Sequence, residues 1–171
     1  MTAASSARWL WLTLAVIAAD RATKYAVESL TTEGYHRVLI PGFAALVHNR
    51  NTGMAFGFLA GRDSRGLSIA LLLIAMAVVL FLVWLLLTGR VAPTLPCAGL
   101  ALLAGGAAGN LLDRVIRGAV TDFVELHAGS FYWPAFNLAD SAITVGAALL
   151  VIEMFRPPRR ARDDSRRMAT R

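Results

Sequence analysis

The sequence holds one cysteine, Cys97, and one lysine, Lys24, among its 171 residues. A lone cysteine excludes an internal disulfide. No ligand cluster surrounds Cys97, and it reads as a small apolar helix residue. The histidines are His36, His48 and His127, and none shows HExxH spacing, so no metal site is indicated. There is no GxSxG elbow for a serine nucleophile. A serine–lysine dyad also lacks its parts, because Ser29 lies off the helical face of Lys24 and Lys24 already has Asp20 four residues before it. No cofactor is called for.

Charge is missing from long stretches. Leu67 to Thr88, LSIALLLIAMAVVLFLVWLLLT, contains no charged side chain over 22 residues. At ~1.5 Å rise per residue that is enough to cross a bilayer. A soluble core helix is apolar along one stripe, whereas this one is apolar all round. With 57% hydrophobic residues, the chain is expected to be an integral membrane protein of a single domain.

Four spans are expected: Trp9 to about Leu30, Leu67 to Thr88, about Thr94 to Arg117, and about Pro134 to Phe155. The first could be read as a cleavable signal peptide, but its helical pattern continues through RATKYAVESL. The domain therefore covers residues 1–155, with an extracytoplasmic insert at about 31–66. Residues 156–171 form a basic disordered tail with seven arginines in sixteen residues. The positive-inside rule places that tail in the cytoplasm against anionic membrane lipid rather than on nucleic acid. An even number of spans puts both termini there. The insert, with Pro41-Gly42 and Asn51-Thr52-Gly53 breaking runs of Val, Leu, Ile and Phe, reads as two or three short strands. MAFGFLAG, at 54–61, is the candidate for a moving flap. In the second outer segment, Gly118 to Trp133, Tyr132 and Trp133 suit the aromatic belt of a membrane interface.

Ionisable groups inside spans are costly and therefore suspect. Here they gather at one depth. If the fourth helix starts at Pro134, Asp140 lies about 9 Å below its outer end and Asn137 about 4–5 Å. Asn110 lies about 10 Å below the outer end of the third helix, on one face with Arg114. Asp122 sits in the loop between them. Duller readings exist for most of these residues. Asp20 and Lys24 pair with each other, Asp113 and Arg114 suit a helix end, and Asn110 and Asn137 suit interhelical hydrogen bonds. Gly105 and Gly109 let a neighbouring helix approach closely. Asp140 is different, because no cation lies three or four residues away on its own helix.

If Asp122 is its partner, two carboxylates about 4 Å apart repel by about 4 kcal/mol at an effective dielectric of 20. Such a pair shares one proton at neutral pH. The ionised member can activate water while the protonated one bonds a scissile carbonyl.

Five motifs occur in order: DRATK, NTGMAFG, GNLLDR, VTDF and WPAFNLADSA. On these the chain resembles the bacterial lipoprotein signal peptidases, the type II signal peptidases, from Asp20 to about Ile152. Thr121 stands where an apolar residue would be expected. The resemblance implies a membrane all-α fold of four transmembrane helices, with a small extracytoplasmic β-cradle and a short outer helix. It implies an aspartic endopeptidase of the bacterial inner membrane, active on the extracytoplasmic side without a cofactor. Its substrate would be the signal peptide of a prolipoprotein, cut before a diacylglyceryl-cysteine. By motif, Asp122 and Asp140 would be catalytic. Asn110 and Arg114 would position substrate, Asn137 would orient the acid pair, and Asn51 would belong to the cradle. Asp20, Lys24 and Asp113 would support the site. Nothing demands more than a monomer. The rival reading is a small proton- or ion-translocating protein with buried acids.

Overall fold

The computed structural model describes residues 6–53, 64–91 and 95–156. Four long helices and four strands follow one another as α1 (Leu10–Leu30), β1 (His36–Ile40), β2 (Ala44–Asn51), α2 (Ser64–Thr88), α3 (Leu95–Arg117), β3 (Val120–Ala128), β4 (Phe131–Phe136) and α4 (Leu138–Met154). α1 runs unbroken through its charged stretch. The segment expected to act as a flap, 54–61, lies outside the described residues. Among the described residues there is no short outer helix.

α3 is the central helix and packs against the other three. Glycines allow this. α3 and α4 cross antiparallel, and a Cβ on Gly99 would sit 2.9 Å from the Gly146 carbonyl oxygen. One on Gly106 would overlap the Ala139 carbonyl oxygen. On the face toward α1, a Cβ on Gly105 would lie 2.8 Å from Val16 Cβ, and one on Gly109 2.7 Å from Asp20 Oδ2. α1 and α3 run parallel there, and the Thr13 hydroxyl donates to the Ala101 carbonyl at 3.1 Å. The close-approach role expected of Gly105 and Gly109 is seen, and Gly99 and Gly106 extend it to a second face.

Two helices, over Ser68–Thr88 and Leu95–Arg117, are long and apolar enough to cross a membrane. α1 carries Asp20, Arg21, Lys24 and Glu28 in its second half, and α4 has 17 residues. α2 is apolar yet almost uncovered, with Leu73 65% and Ile74 60% exposed. Water would not tolerate so large an apolar surface on a monomeric protein, whereas hydrocarbon does.

The strands form one antiparallel sheet in the order β1-β2-β3-β4. β1 and β2 are the short strands expected in the first outer segment, joined through Gly42 at φ 76°. The second outer segment was expected to be a loop, but it is a strand pair. β3 joins β2 with Asn49 opposite Asp122 and Asn51 opposite Val120. The two outer segments, distant in sequence, are therefore one sheet.

The start of the last helix also differs from expectation. The sequence pattern starts this helix at about Pro134, but Phe131–Phe136 pairs with β3 through Leu126–Trp133 and Val124–Phe136. Proline is tolerated because β4 is an edge strand and needs no second partner for its missing N–H. Asn137 is the N-cap, so Asp140 lies in the first helical turn rather than about 9 Å inside.

Replacing Gly106 with alanine is expected to cost about 1–3 kcal/mol, the usual penalty for overpacking a tight contact. Chemical unfolding in detergent measures it, and unchanged stability would show that α3 and α4 can separate freely at this level.

Candidate active site

The site grows out of the start of α4. Asn137 is fully buried and its side-chain oxygen accepts from the Asp140 backbone N–H at 3.0 Å. In return, Asp140 Oδ2 accepts from the Asn137 backbone N–H at 3.2 Å. This is a capping box with aspartate in the third position, and it satisfies helix-end donors that hydrocarbon would leave bare. It also fixes the Asp140 carboxyl. The amide end of Asn137 is then free to point elsewhere. Its Nδ2 donates to Asp122 Oδ1 at 2.6 Å and to Asn110 Oδ1 at 3.3 Å.

Asp122 stands on β3 and is 3% exposed. Its second oxygen accepts from Asn51 Nδ2 at 2.9 Å. Asn51 is itself held, because its Oδ1 accepts the Gly53 N–H at 2.9 Å. That turn needs Gly53 at φ 79°, in the left-handed region that glycine enters without strain. Burial pushes the Asp122 carboxyl above the ordinary aspartate range. The Asn51 and Asn137 amides pull it down, and the neighbouring Asp140 charge adds to the rise. Asp140 is half-buried, and its Oδ1 accepts from Asn110 Nδ2 at 2.8 Å. One asparagine thus ties together two carboxylates that are 18 positions apart in sequence.

Behind this pair lies a buried ionic core. Lys24 is fully buried. Its ammonium lies 2.7 Å from Asp20 Oδ2 and 2.7 Å from Asp113 Oδ2, and it donates to Asn110 Oδ1 at 2.9 Å. Asp20 Oδ1 accepts the Ala139 N–H of α4 at 3.0 Å. Asp20 and Lys24 do pair, as expected, and the pair joins three helices. Asp113 is buried inside the core rather than lying at an interface. Arg114 is half-buried. Its guanidinium donates to the Asn110 carbonyl at 3.3 Å, and a Cβ on Gly53 would lie 3.5 Å from its Nε. Among the described residues no carboxylate pairs with it. All nine residues singled out from the sequence therefore adjoin one cluster.

Comparison with known proteins bears on the chemistry. Residues 12–156 match the model of signal peptidase (SPase) II. The chain belongs to the signal peptidase II family. A lipoprotein signal peptidase of Solibacter usitatus is 42% identical over 85% of this chain and 89% of its own length. One from Pseudomonas fluorescens (strain Pf0-1) is 46% identical over 86% of this chain and 87% of its own. A solved bacterial membrane enzyme is 28% identical and superposes with a TM-score of 0.75, over 87% of this chain and 93% of that one. The protein is accordingly a membrane protease of the aspartic class, and the ion-translocating alternative is not favoured.

Three further residues contribute to the cluster, and their parts in it are not evident from the sequence: Arg21, Glu28 and Thr121. Arg21 Nη1 donates to Asp113 Oδ1 and its Nη2 to Glu28 Oε2, both at 2.5 Å. Glu28 also accepts from Arg117 Nη1 and from the Thr121 hydroxyl. The only trace in the sequence was the seven-residue spacing of Arg21 and Glu28, which puts them on one face of α1.

Lys24→Met is expected to destabilise the protein by about 3–5 kcal/mol, because it strands two buried carboxylates. Thermal unfolding of the purified variant in detergent reports this. A loss below 1 kcal/mol would show that water already reaches the ionic core.

Proposed function

We propose that this protein removes the signal peptides of prolipoproteins with Asp122 and Asp140 as its acid pair. The observation that carries the assignment is the Asn137 bridge, in which one residue at the start of α4 hydrogen-bonds both carboxyls. Asp122 is the more deeply buried of the two, and burial favours its neutral form. We therefore assign it the shared proton. Asp140, aligned by Asn110, is the ionised base.

In the hydrolytic step Asp140 takes a proton from water, and the water oxygen attacks the scissile carbonyl carbon. The Asp122 proton passes to the carbonyl oxygen, which gives a neutral tetrahedral diol. Asp140 then delivers its proton to the peptide nitrogen while Asp122 recovers one from a diol hydroxyl, and the C–N bond breaks. Both acids end as they began. Asn110, with its side chain engaged by Lys24, Asn137 and Asp140, is assigned the alignment of Asp140 as well as of substrate. Arg114, with no carboxylate partner among the described residues, is the donor we assign to the substrate's carbonyl oxygens. Asn51 aligns Asp122.

We assign the substrate a diacylglyceryl-cysteine after the cleaved bond. A lipid anchor would hold the scissile bond at the depth of the first turn of α4. All four helices are proposed to cross the bacterial inner membrane, with both termini cytoplasmic and the sheet outside. Residues 1–155 form the membrane domain, with its insert at about 31–66, and the arginine-rich stretch 156–171 lies on anionic lipid of the inner leaflet. Every proposed site residue comes from one chain, so a monomer suffices.

Purified protein is expected to cleave a lipidated precursor and to spare its unlipidated twin. Asp122→Asn and Asp140→Asn should each abolish cleavage while the protein remains folded. Wild-type turnover by either variant would remove that acid from the mechanism. The pH dependence of kcat/KM should be bell-shaped. Activity is lost on the alkaline side as Asp122 gives up its proton, above the ordinary aspartate range, and on the acid side once the pair takes up a second proton. A profile flat across both limbs would contradict a shared proton.

A further inference from the structure

We propose that Glu28 is a positioning residue for Asp122, acting through the Thr121 hydroxyl; this rests on the peptidase reading above. Thr121 and Asp122 are consecutive on β3, so their side chains leave opposite faces of the strand. Asp122 faces Asn51 and Asn137. Thr121 faces the end of α1, where its hydroxyl donates to Glu28 Oε1 at 2.7 Å. Rolling β3 about its own axis would swing both side chains together. The Thr121–Glu28 bond therefore stops the roll of the strand that carries the acid.

Glu28 is itself anchored. Its Oε2 accepts from Arg21 Nη2 and from Arg117 Nη1, which joins the ends of α1 and α3. The Arg117 carbonyl accepts from Arg50 Nη2 at 2.9 Å, and Arg50 stands opposite Thr121 in the sheet. Arg21 continues to Asp113, Asp113 to Lys24, Lys24 to Asn110, and Asn110 to Asp140. One unbroken line of polar contacts thus runs from Asp140 at one end to Thr121, the neighbour of Asp122, at the other.

This also accounts for a polar residue at 121. Thr121 is buried, and a hydroxyl there needs an acceptor. Glu28 supplies it. An apolar side chain at 121 would leave Glu28 Oε1 without its donor and β3 without its stop.

The test uses full-length protein in detergent with a lipidated precursor, and measures kcat, KM, pH profile and thermal midpoint. Thr121→Val keeps the shape and removes the hydroxyl. It should lower kcat by about 3- to 10-fold, the scale of one hydrogen bond, with KM unchanged. Its alkaline limb should move to lower pH, because a strand free to roll lets water reach Asp122. Thr121→Ser should restore both. Adding Glu28→Gln to Thr121→Val should lower kcat by less than the product of the single effects. The proposal is overturned if Thr121→Val matches wild type, if serine fails to rescue it, or if kcat falls only in step with the folded fraction. A wild-type protein that leaves the lipidated precursor intact would instead overturn the peptidase reading beneath it.

Discussion

One buried ammonium group organises this molecule. Lys24 has no solvent exposure, and a lone charge so placed would be expelled or neutralised. It stays because Asp20 and Asp113 flank it and Asn110 accepts from it. Asp20 reaches it from the same helix and Asp113 from α3, so satisfying the charge sets the register of α1 against α3. Asp20 spends its other oxygen on the Ala139 N–H, which brings the start of α4 to the same point. Three helices meet where one charge is satisfied, and the polar line to the two aspartates begins there.

That convergence requires short distances between backbones. Gly109 lies against the Asp20 carboxylate, and Gly106 against the Ala139 carbonyl. Side chains at either place would push α1 or α4 outward and open the ionic core to water. Where hydrophobic burial cannot drive helices together, close packing and polar contacts must do so. The small residues of GGAAG and the charges of DRATK are two halves of one solution.

The acids sit at the rim of this frame, not in its middle. The capping box at Asn137 uses the helix end itself to hold Asp140, and the sheet brings Asp122 to the same asparagine. A site so placed can be reached without drawing water to the bundle's centre. Its two acids occupy unequal settings, one buried on a strand of the sheet and one half-buried in the first turn of a helix. Unequal settings suit one proton shared between two carboxyls.

Much of this was legible in the residues. The uncharged run at Leu67 to Thr88 announced a helix in hydrocarbon, because its composition admits no other solvent. Asp20 and Lys24 announced a pair by their spacing, and the glycines announced a close contact. These are local properties, carried by periodicity and chemistry within one turn or one run. What the chain alone left open depended on partners distant in sequence. Pro134 looked like a helix start until β3 supplied an edge for β4 to pair with, which moved the helix to Leu138 and Asp140 to its first turn. Asp122 looked like a loop residue until β2, from an insert about 70 positions earlier, made it part of a sheet. Glu28 and Thr121 carried no sign of their pairing, since a glutamate and a threonine far apart in the chain gain a shared role only once folding sets them in contact. Helices close their hydrogen bonds within a segment and so can be read from it, whereas strands and ionic clusters close theirs across the chain, where only the tertiary structure names the partner.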